Sequence, residues 1–105
     1  MSRYRFTPQA EGDLFEIWSY IARDSLAAAN KVESAIYDAC AFLAEHPEGD
    51  HERKDLTPLP LRFWTLPRYR NYIVVYDPDT TPLQVIRVFH GARNVRVALQ
   101  EKGDA

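Results

Sequence analysis

Three side chains near the C-terminal end of the sequence belong to types that do acid–base chemistry or hold an anion: Arg87, His90 and Arg93. They lie in Leu83–Arg93, LQVIRVFHGAR, which has the two-residue period of a strand until Gly91 ends it. An arginine holds a carboxylate or a phosphate through paired hydrogen bonds, and an imidazole exchanges protons near neutral pH. Since an unpaired arginine is costly to bury, Arg87 must either pair with an internal carboxylate or point to an open sheet face. Both interpretations stay open, and His90 either takes part in chemistry or closes the strand end.

The charge distribution favours an anionic partner at the C-terminal half. The net charge is −2, but residues 1–60 carry −5 and residues 61–105 carry +3. The basic half contains only arginines apart from Lys102. Because arginine is suited to gripping carboxylates and phosphates, we expect an acidic binding partner for this half.

The length, the single cysteine and the lack of long apolar runs predict a one-domain protein without disulfides, metal sites or membrane segments. A chain of 105 residues suits one domain, 1–105, with one core. The single Cys40 cannot form an internal disulfide and is expected to be a small core residue, and no ligand spacing predicts a metal or another cofactor. No apolar run is long enough to cross a bilayer, and Met1–Phe6 lacks the apolar region of a signal peptide, so a cytoplasmic location is expected.

Two amphipathic helices should position the strand that carries Arg87. Thr7 and Pro8 predict an N-cap and a first helical residue, and apolar residues at helical spacing continue to about Arg23. Asp24-Ser25 caps a second helix, which His46-Pro47 ends. The link between the helices is short, so they should form an antiparallel hairpin.

The remaining segments predict a small sheet. Pro47–Pro60 is expected to be a long surface loop, and Ala92–Lys102 a short C-terminal helix. Strands are predicted at Arg3–Phe6, Leu61–Leu66, Arg68–Tyr76 and Leu83–Phe89. The fold class is therefore α+β with the order βααβββ, in which the helical hairpin packs on one face of a mainly antiparallel sheet.

The second face of this sheet is expected to be open. Arg62, Arg70 and Arg87 fall on three successive predicted strands, and the pleat allows at least two of them to share that face. Aromatic residues either line this face with the arginines or belong to the core: Tyr72, Tyr76, and Phe63 or Trp64.

Several segments taken in order resemble a known family. They are the helix-one pattern A..DL.EIW.YIA, the helix-two ending FLAEHPEG, the strand text LRFWTLPRYRNYIVVYD and the ending VIRVFHGARN. Together with the βααβββ order, they resemble the RelE/ParE superfamily of toxins from type II toxin–antitoxin systems, and the ParE branch in particular. The resemblance extends from Arg3 to about Leu99.

The resemblance implies a cognate antitoxin whose flexible acidic segment folds on binding. It implies one of two targets, DNA gyrase for ParE relatives or ribosome-bound mRNA for RelE relatives. RNA cleavage would need a general base, a general acid and cations, with His90 as acid or base and Arg87 and Arg70 as clamps. Because Gly91-Ala92 follows His90 where RelE-type nucleases carry a Tyr or a basic cluster, the set is incomplete and favours non-catalytic inhibition of gyrase. A relic that binds antitoxin without toxicity is a third reading. The expected antitoxin- or target-binding residues are Arg62, Arg68, Arg70, Arg87, His90 and Arg93.

Overall fold

The structure, a computed structural model, describes residues 3–47 and 61–91. Within these ranges it contains two helices and four strands: β1 (Tyr4–Phe6), α1 (Pro8–Ala22), α2 (Leu26–Glu45), β2 (Arg62–Thr65), β3 (Tyr72–Asp77) and β4 (Leu83–His90). The predicted α+β class and the order βααβββ are confirmed. No helix among the described residues is long and apolar enough to span a membrane.

Local capping signals set the helix starts. The Thr7 hydroxyl accepts a hydrogen bond from the Ala10 N–H at 3.1 Å, and Pro8 opens α1. The Ser25 hydroxyl does the same for the Ala28 N–H at 3.1 Å at the start of α2. Each cap satisfies a backbone donor that the first turn leaves without a partner, so both helices begin where the sequence predicts.

The sheet has the order β1-β4-β3-β2. β4 pairs with β3, and β3 with β2, in antiparallel orientation, while β1 joins β4 in parallel through Val85. The short strand β1 is therefore added to the edge of a sheet that the three later strands form. β1 does not extend along β4 beyond Val85, which leaves the second half of β4 to be completed by other groups.

The helical hairpin covers one face of the sheet and forms the main core with it. Val74 and Tyr76 of β3 pack there with Ile36, Cys40 and other residues of α2. Tyr76 is fully buried, and its hydroxyl donates to the Pro47 carbonyl oxygen at 3.1 Å. Burial raises the pKa of the Cys40 thiol to about 12, so Cys40 acts as the small core residue expected from the sequence.

The second face of the sheet is not the open surface that the sequence analysis expected. It carries its own buried cluster: Leu61, Phe63, Ile73, Val75 and Phe89. The physical reason is the run YIVVY in β3, which places apolar side chains on both faces. Tyr72, Tyr76 and Trp64 instead pack on the helix side, so they line no open face with the arginines.

The turn between β2 and β3 is longer than predicted. β3 begins at Tyr72 rather than Arg68, and the Tyr72 N–H donates to the Tyr69 carbonyl oxygen at 3.0 Å. Pro67 lacks the N–H that would let a strand continue, so residues 66–71 form a connection. Residues 48–60 of the predicted loop, and the predicted helix Ala92–Lys102, lie outside the described residues.

Candidate functional site

Arg87 forms a two-point ion pair with Asp13 of α1. Its Nε donates to Asp13 Oδ2 at 2.7 Å and its Nη2 donates to Oδ1 at 2.9 Å. The two side chains are only 19% and 12% exposed. This geometry is the parallel pairing that guanidinium and carboxylate groups favour. The structure thus shows the internal ion pair, one of the two interpretations of Arg87 that the sequence left open.

The same carboxylate completes the edge of β4. Directly after β1, Thr7 donates two hydrogen bonds to the backbone of β4. Its N–H donates to the Val85 carbonyl oxygen at 3.0 Å, and its hydroxyl donates to the Ile86 carbonyl oxygen at 2.7 Å. The next donor along the strand, the Val88 N–H, reaches Asp13 Oδ2 at 3.0 Å. Because backbone groups at a partly buried edge need partners, the start of α1 serves here in place of a neighbouring strand.

The ion pair strongly favours the charged form of Arg87. The hydrogen bonds to Asp13 raise the pKa of Arg87 above its ordinary value, and the charges of Asp13 and Glu16 act in the same direction, against a lowering by burial. The guanidinium carbon also lies 4.6 Å from the centroid of the Phe89 ring, within the range of a cation–π contact. Arg87 is therefore fixed by three kinds of contact within the fold.

A second cluster, the strand-end pocket, surrounds His90 at the end of β4. His90 lies opposite Tyr72 of β3, and the two rings meet edge to face with centroids 5.0 Å apart. A cavity of about 370 Å³ opens beside them; its lining residues are Glu16, Ile17, Tyr20, Tyr72 and His90. Burial raises the pKa of the Tyr72 phenol, and Tyr20 adds to this effect. Tyr72 therefore stays protonated and able to donate a hydrogen bond well above neutral pH.

The chain turns sharply directly after His90. Gly91 has a φ of +89°, a conformation that side-chain-bearing residues rarely adopt. Its N–H donates to the Asn71 carbonyl oxygen at 2.7 Å, which ties the end of β4 to the turn before β3. His90 is exposed at this point, and its ring packs on Tyr72 at the end of the strand.

The arginines predicted for one open face do not share a face. Arg62 lies opposite Tyr76 in the pairing of β2 with β3, and directly opposed residues share a side, so Arg62 belongs to the helix side. Arg87 lies opposite Val75, which belongs to the buried cluster on the second face of the sheet, away from the helices. Arg70 is exposed in the connection before β3 rather than on a strand. The prediction that at least two of these arginines share one open face is therefore wrong. Arg93, the remaining predicted site arginine of this strand end, lies outside the described residues.

Arg68 lies at an apolar groove between α2 and the edge strand β2. The Phe42 and Trp64 rings meet there with centroids 5.2 Å apart, and Phe42 is 43% exposed. The groove encloses about 520 Å³; its lining residues are Ala35, Asp38, Ala39, Phe42, Trp64, Leu66, Pro67 and Arg68. Among the described residues, no group of three or more His, Cys, Asp or Glu side chains could hold a metal ion.

The comparisons with known proteins decide the family. Residues 4–95 match the family model for the ParE toxin of the type II toxin–antitoxin system, parDE. The chain belongs to the ParE toxin family. No curated protein matches it significantly by sequence. Among solved structures, the chain is similar to one titled as a chromosomal ParDE TA system from P. aeruginosa, with a TM-score of 0.69 and 20% identity over 86% of this chain and 99% of that one. That likeness shows that the two share a fold.

Sequence reasoning missed three residues that the fold of this ParE-family chain brings to the two clusters: Asp13, Glu16 and Tyr20. A signal for Asp13 exists, since it is an acidic residue beside Leu14 on the apolar side of α1. Glu16 and Tyr20 are four residues apart, and residues at that spacing lie on the same helix face. Nothing in that spacing alone points to His90, which is contributed by a strand far along the chain.

Proposed function

We propose that this ParE-family chain is the toxin of a type II toxin–antitoxin pair, that a cognate antitoxin neutralises it, and that it inhibits DNA gyrase in the cytoplasm by binding. The observation that carries the proposal is the family match, which extends over residues 4–95. The inhibition is non-catalytic: the toxin occupies a surface of its target and carries out no bond cleavage.

The state of Arg87 supports a binding mode of action over RNA cleavage. A ribonuclease needs cations that face the developing charge of the phosphorane, together with a general acid and a general base. Arg87 holds Asp13 through two hydrogen bonds, so the guanidinium on the strand of His90 is already committed to a carboxylate. Glu16 lines the pocket beside His90, and its negative charge would repel an RNA phosphate.

The exposed arginines of the β2–β3 connection are the proposed antitoxin contacts. Arg68 lines the apolar groove beside Phe42 and Trp64, and Arg70 is exposed two residues further on. An antitoxin segment with apolar and acidic residues would bury the former in the groove and pair the latter with these two guanidinium groups. Charge reversal at Arg68 or Arg70 should weaken antitoxin binding several-fold, while Arg23→Glu, at an exposed arginine after α1, should not.

The test compares the two targets directly with the purified chain. Supercoiling of relaxed plasmid by gyrase is measured against toxin concentration, and mRNA integrity is measured in a cell-free translation reaction. We expect the chain to abolish supercoiling and to leave mRNA intact. Adding the antitoxin should restore supercoiling in the assay and growth in cells. The His90→Gln variant should inhibit gyrase as strongly as the wild type. Ribosome-dependent mRNA cleavage with normal gyrase activity would instead show a RelE-like nuclease. Normal gyrase, intact mRNA and normal growth would show a non-toxic relative.

A further inference from the structure

The strand-end pocket combines one carboxylate with three aromatic rings. Glu16 and Tyr20 occupy one face of α1, and both are exposed. Tyr72 and His90 face each other across β3 and β4, with Tyr72 the more deeply placed of the two. Ile17 adds an apolar wall. Three elements of the fold thus meet around one cavity of about 370 Å³, large enough for a single long side chain.

Among residues 3–47 and 61–91, the charged side chains that contact one another beside this pocket leave one negative charge in excess. Asp13 and Glu16 both act on the Arg87 guanidinium, but Asp13 alone holds it through hydrogen bonds. Two carboxylates therefore face one guanidinium among the groups that these contacts connect. The carboxylate that remains available at the cavity is Glu16, so the electrostatic preference of the pocket is for a cation.

The rest of the lining fits the same class of ligand. Aromatic faces attract cations through their quadrupole, and the effect is larger where the ring is partly desolvated, as Tyr72 is. A planar guanidinium stacks on such rings while its N–H groups pair with a carboxylate, and its methylene stem packs on an apolar side chain such as Ile17. An ammonium group offers the charge without the plane, so arginine fits the pocket better than lysine.

We propose that the strand-end pocket receives an arginine side chain of the antitoxin. The inference rests on the proposed function, because it takes the antitoxin as the partner. It makes the interface two-signed: Arg68 and Arg70 contact acidic groups of the partner, and Glu16 contacts a basic one. A pattern with both signs fixes the register of a bound segment better than a pattern with one sign, since a shifted segment would bring like charges together.

The pocket is tested first without the antitoxin. N-acetyl-arginine amide is titrated into the full chain, and the ring signals of Tyr20, Tyr72 and His90 are followed by NMR. N-acetyl-citrulline amide, which has nearly the same shape without the charge, is the matched ligand. We expect saturable shifts with the arginine compound and at least about tenfold weaker binding of the citrulline compound. N-acetyl-lysine amide should fall between them. Equal binding of the arginine and citrulline compounds would overturn the proposal.

The matched variants are Glu16→Gln and Glu33→Gln, which remove the same charge from α1 and from α2. Glu16→Gln should weaken arginine amide binding about fivefold and antitoxin binding about tenfold, and Glu33→Gln should change neither. Antitoxin that binds the wild type and Glu16→Gln equally well would overturn this inference and leave the proposed function intact. If the wild type binds no antitoxin, the proposed function fails, and the assignment of the pocket to the antitoxin fails with it.

Discussion

Asp13 and Glu16 lie one turn apart on α1, yet their surroundings differ. Asp13 accepts two hydrogen bonds from Arg87 and one from the Val88 N–H, so its carboxylate is committed to the fold. Glu16 is exposed and lines the strand-end pocket with aromatic rings. Residue type therefore does not decide the role of a charged group here. The decisive feature is whether the neighbouring backbone and side chains already occupy its hydrogen-bonding capacity.

The reason for the contrast lies in the pairing of β4. β1 ends its pairing at Val85, so the next backbone groups of β4 need partners from α1. Asp13 faces that edge. Glu16 lies one turn further along α1, beside the end of the strand, where the cavity at His90 begins. The most conspicuous residue of the sequence, Arg87, is thereby held in an internal ion pair, while Glu16, which has no sequence signal, lines the strand-end pocket.

Truncation of a core side chain gives the loss of unfolding free energy with which changes at the Asp13–Arg87 ion pair and at the strand-end pocket are compared. Ile36→Ala should lower the free energy of unfolding by about 4 kcal/mol, because Ile36 is fully buried against the sheet and its loss leaves a cavity. Ser34→Ala, at an exposed position of the same helix, is the control and should change it little. Urea denaturation measures both. A loss below about 1 kcal/mol for Ile36→Ala would place this helix face outside the core.

Removal of the Asp13 carboxylate should lower the free energy of unfolding nearly as much as Ile36→Ala does. Asp13→Ala should cost about 3 kcal/mol, since it leaves a mostly buried guanidinium and the Val88 N–H without their acceptor. Asp38→Ala, at an exposed residue of α2, is the matched control. A double-mutant cycle of Asp13→Ala with Arg87→Met should show strong coupling. Equal costs for Asp13→Ala and Asp38→Ala would mean that the contacts of Asp13 with Arg87 and Val88 contribute little to the fold.

A conservative change in the same pair should have a smaller effect. Arg87→Lys keeps the positive charge but loses the two parallel hydrogen bonds and the planar contact with Phe89. We expect a loss of about 1 kcal/mol in the free energy of unfolding. Thermal denaturation followed by circular dichroism measures it. A stability equal to that of the wild type would show that charge alone, without the two-point geometry, is what the site requires.

The smallest effect is expected in the strand-end pocket. His90→Gln removes an edge-to-face ring contact with Tyr72, so stability should fall by about 0.5 kcal/mol. Toxicity should survive, because glutamine keeps hydrogen bonding and a non-catalytic inhibitor needs no proton shuttle. Growth arrest and unfolding are measured on the same variant. Loss of toxicity in a stably folded His90→Gln, together with mRNA cleavage by the wild type, would make His90 catalytic.

The helices could be predicted from the sequence because their signals are local. Thr7-Pro8 and Ser25 carry capping chemistry within one turn of the groups they satisfy, and the apolar period identifies the buried face. The run YIVVY is apolar at every position and so indicates a strand covered on both faces, a signal that conflicts with the predicted open face of the sheet. The predicted start of β3 at Arg68 is wrong because the residue pattern of Arg68–Asn71 does not differ from that of a strand. The hydrogen bond from the Tyr72 N–H to the Tyr69 carbonyl oxygen, which marks the turn, depends on the fold and has no sequence signal.

The two clusters could not be predicted because they join distant parts of the chain. Asp13 and Arg87 are 74 residues apart, and many carboxylates of the sequence could have served as the partner. The strand-end pocket needs the register of β3 with β4 and the rotation of α1 over the sheet, neither of which the sequence pattern specifies. What the sequence does establish is that Arg87 must be paired or face an opening, and the structure selects the pair.

The most direct test of this division of roles is antitoxin affinity, measured by calorimetry for Arg87→Lys and Glu16→Gln under conditions where both are folded. The affinity of Arg87→Lys for the antitoxin should be within about twofold of the wild-type affinity despite its lower stability, because the Arg87 guanidinium of the wild type contacts Asp13 within the fold. Glu16→Gln should keep wild-type stability and bind about tenfold more weakly. The opposite pattern, with affinity lost at Arg87 and retained at Glu16, would contradict the account.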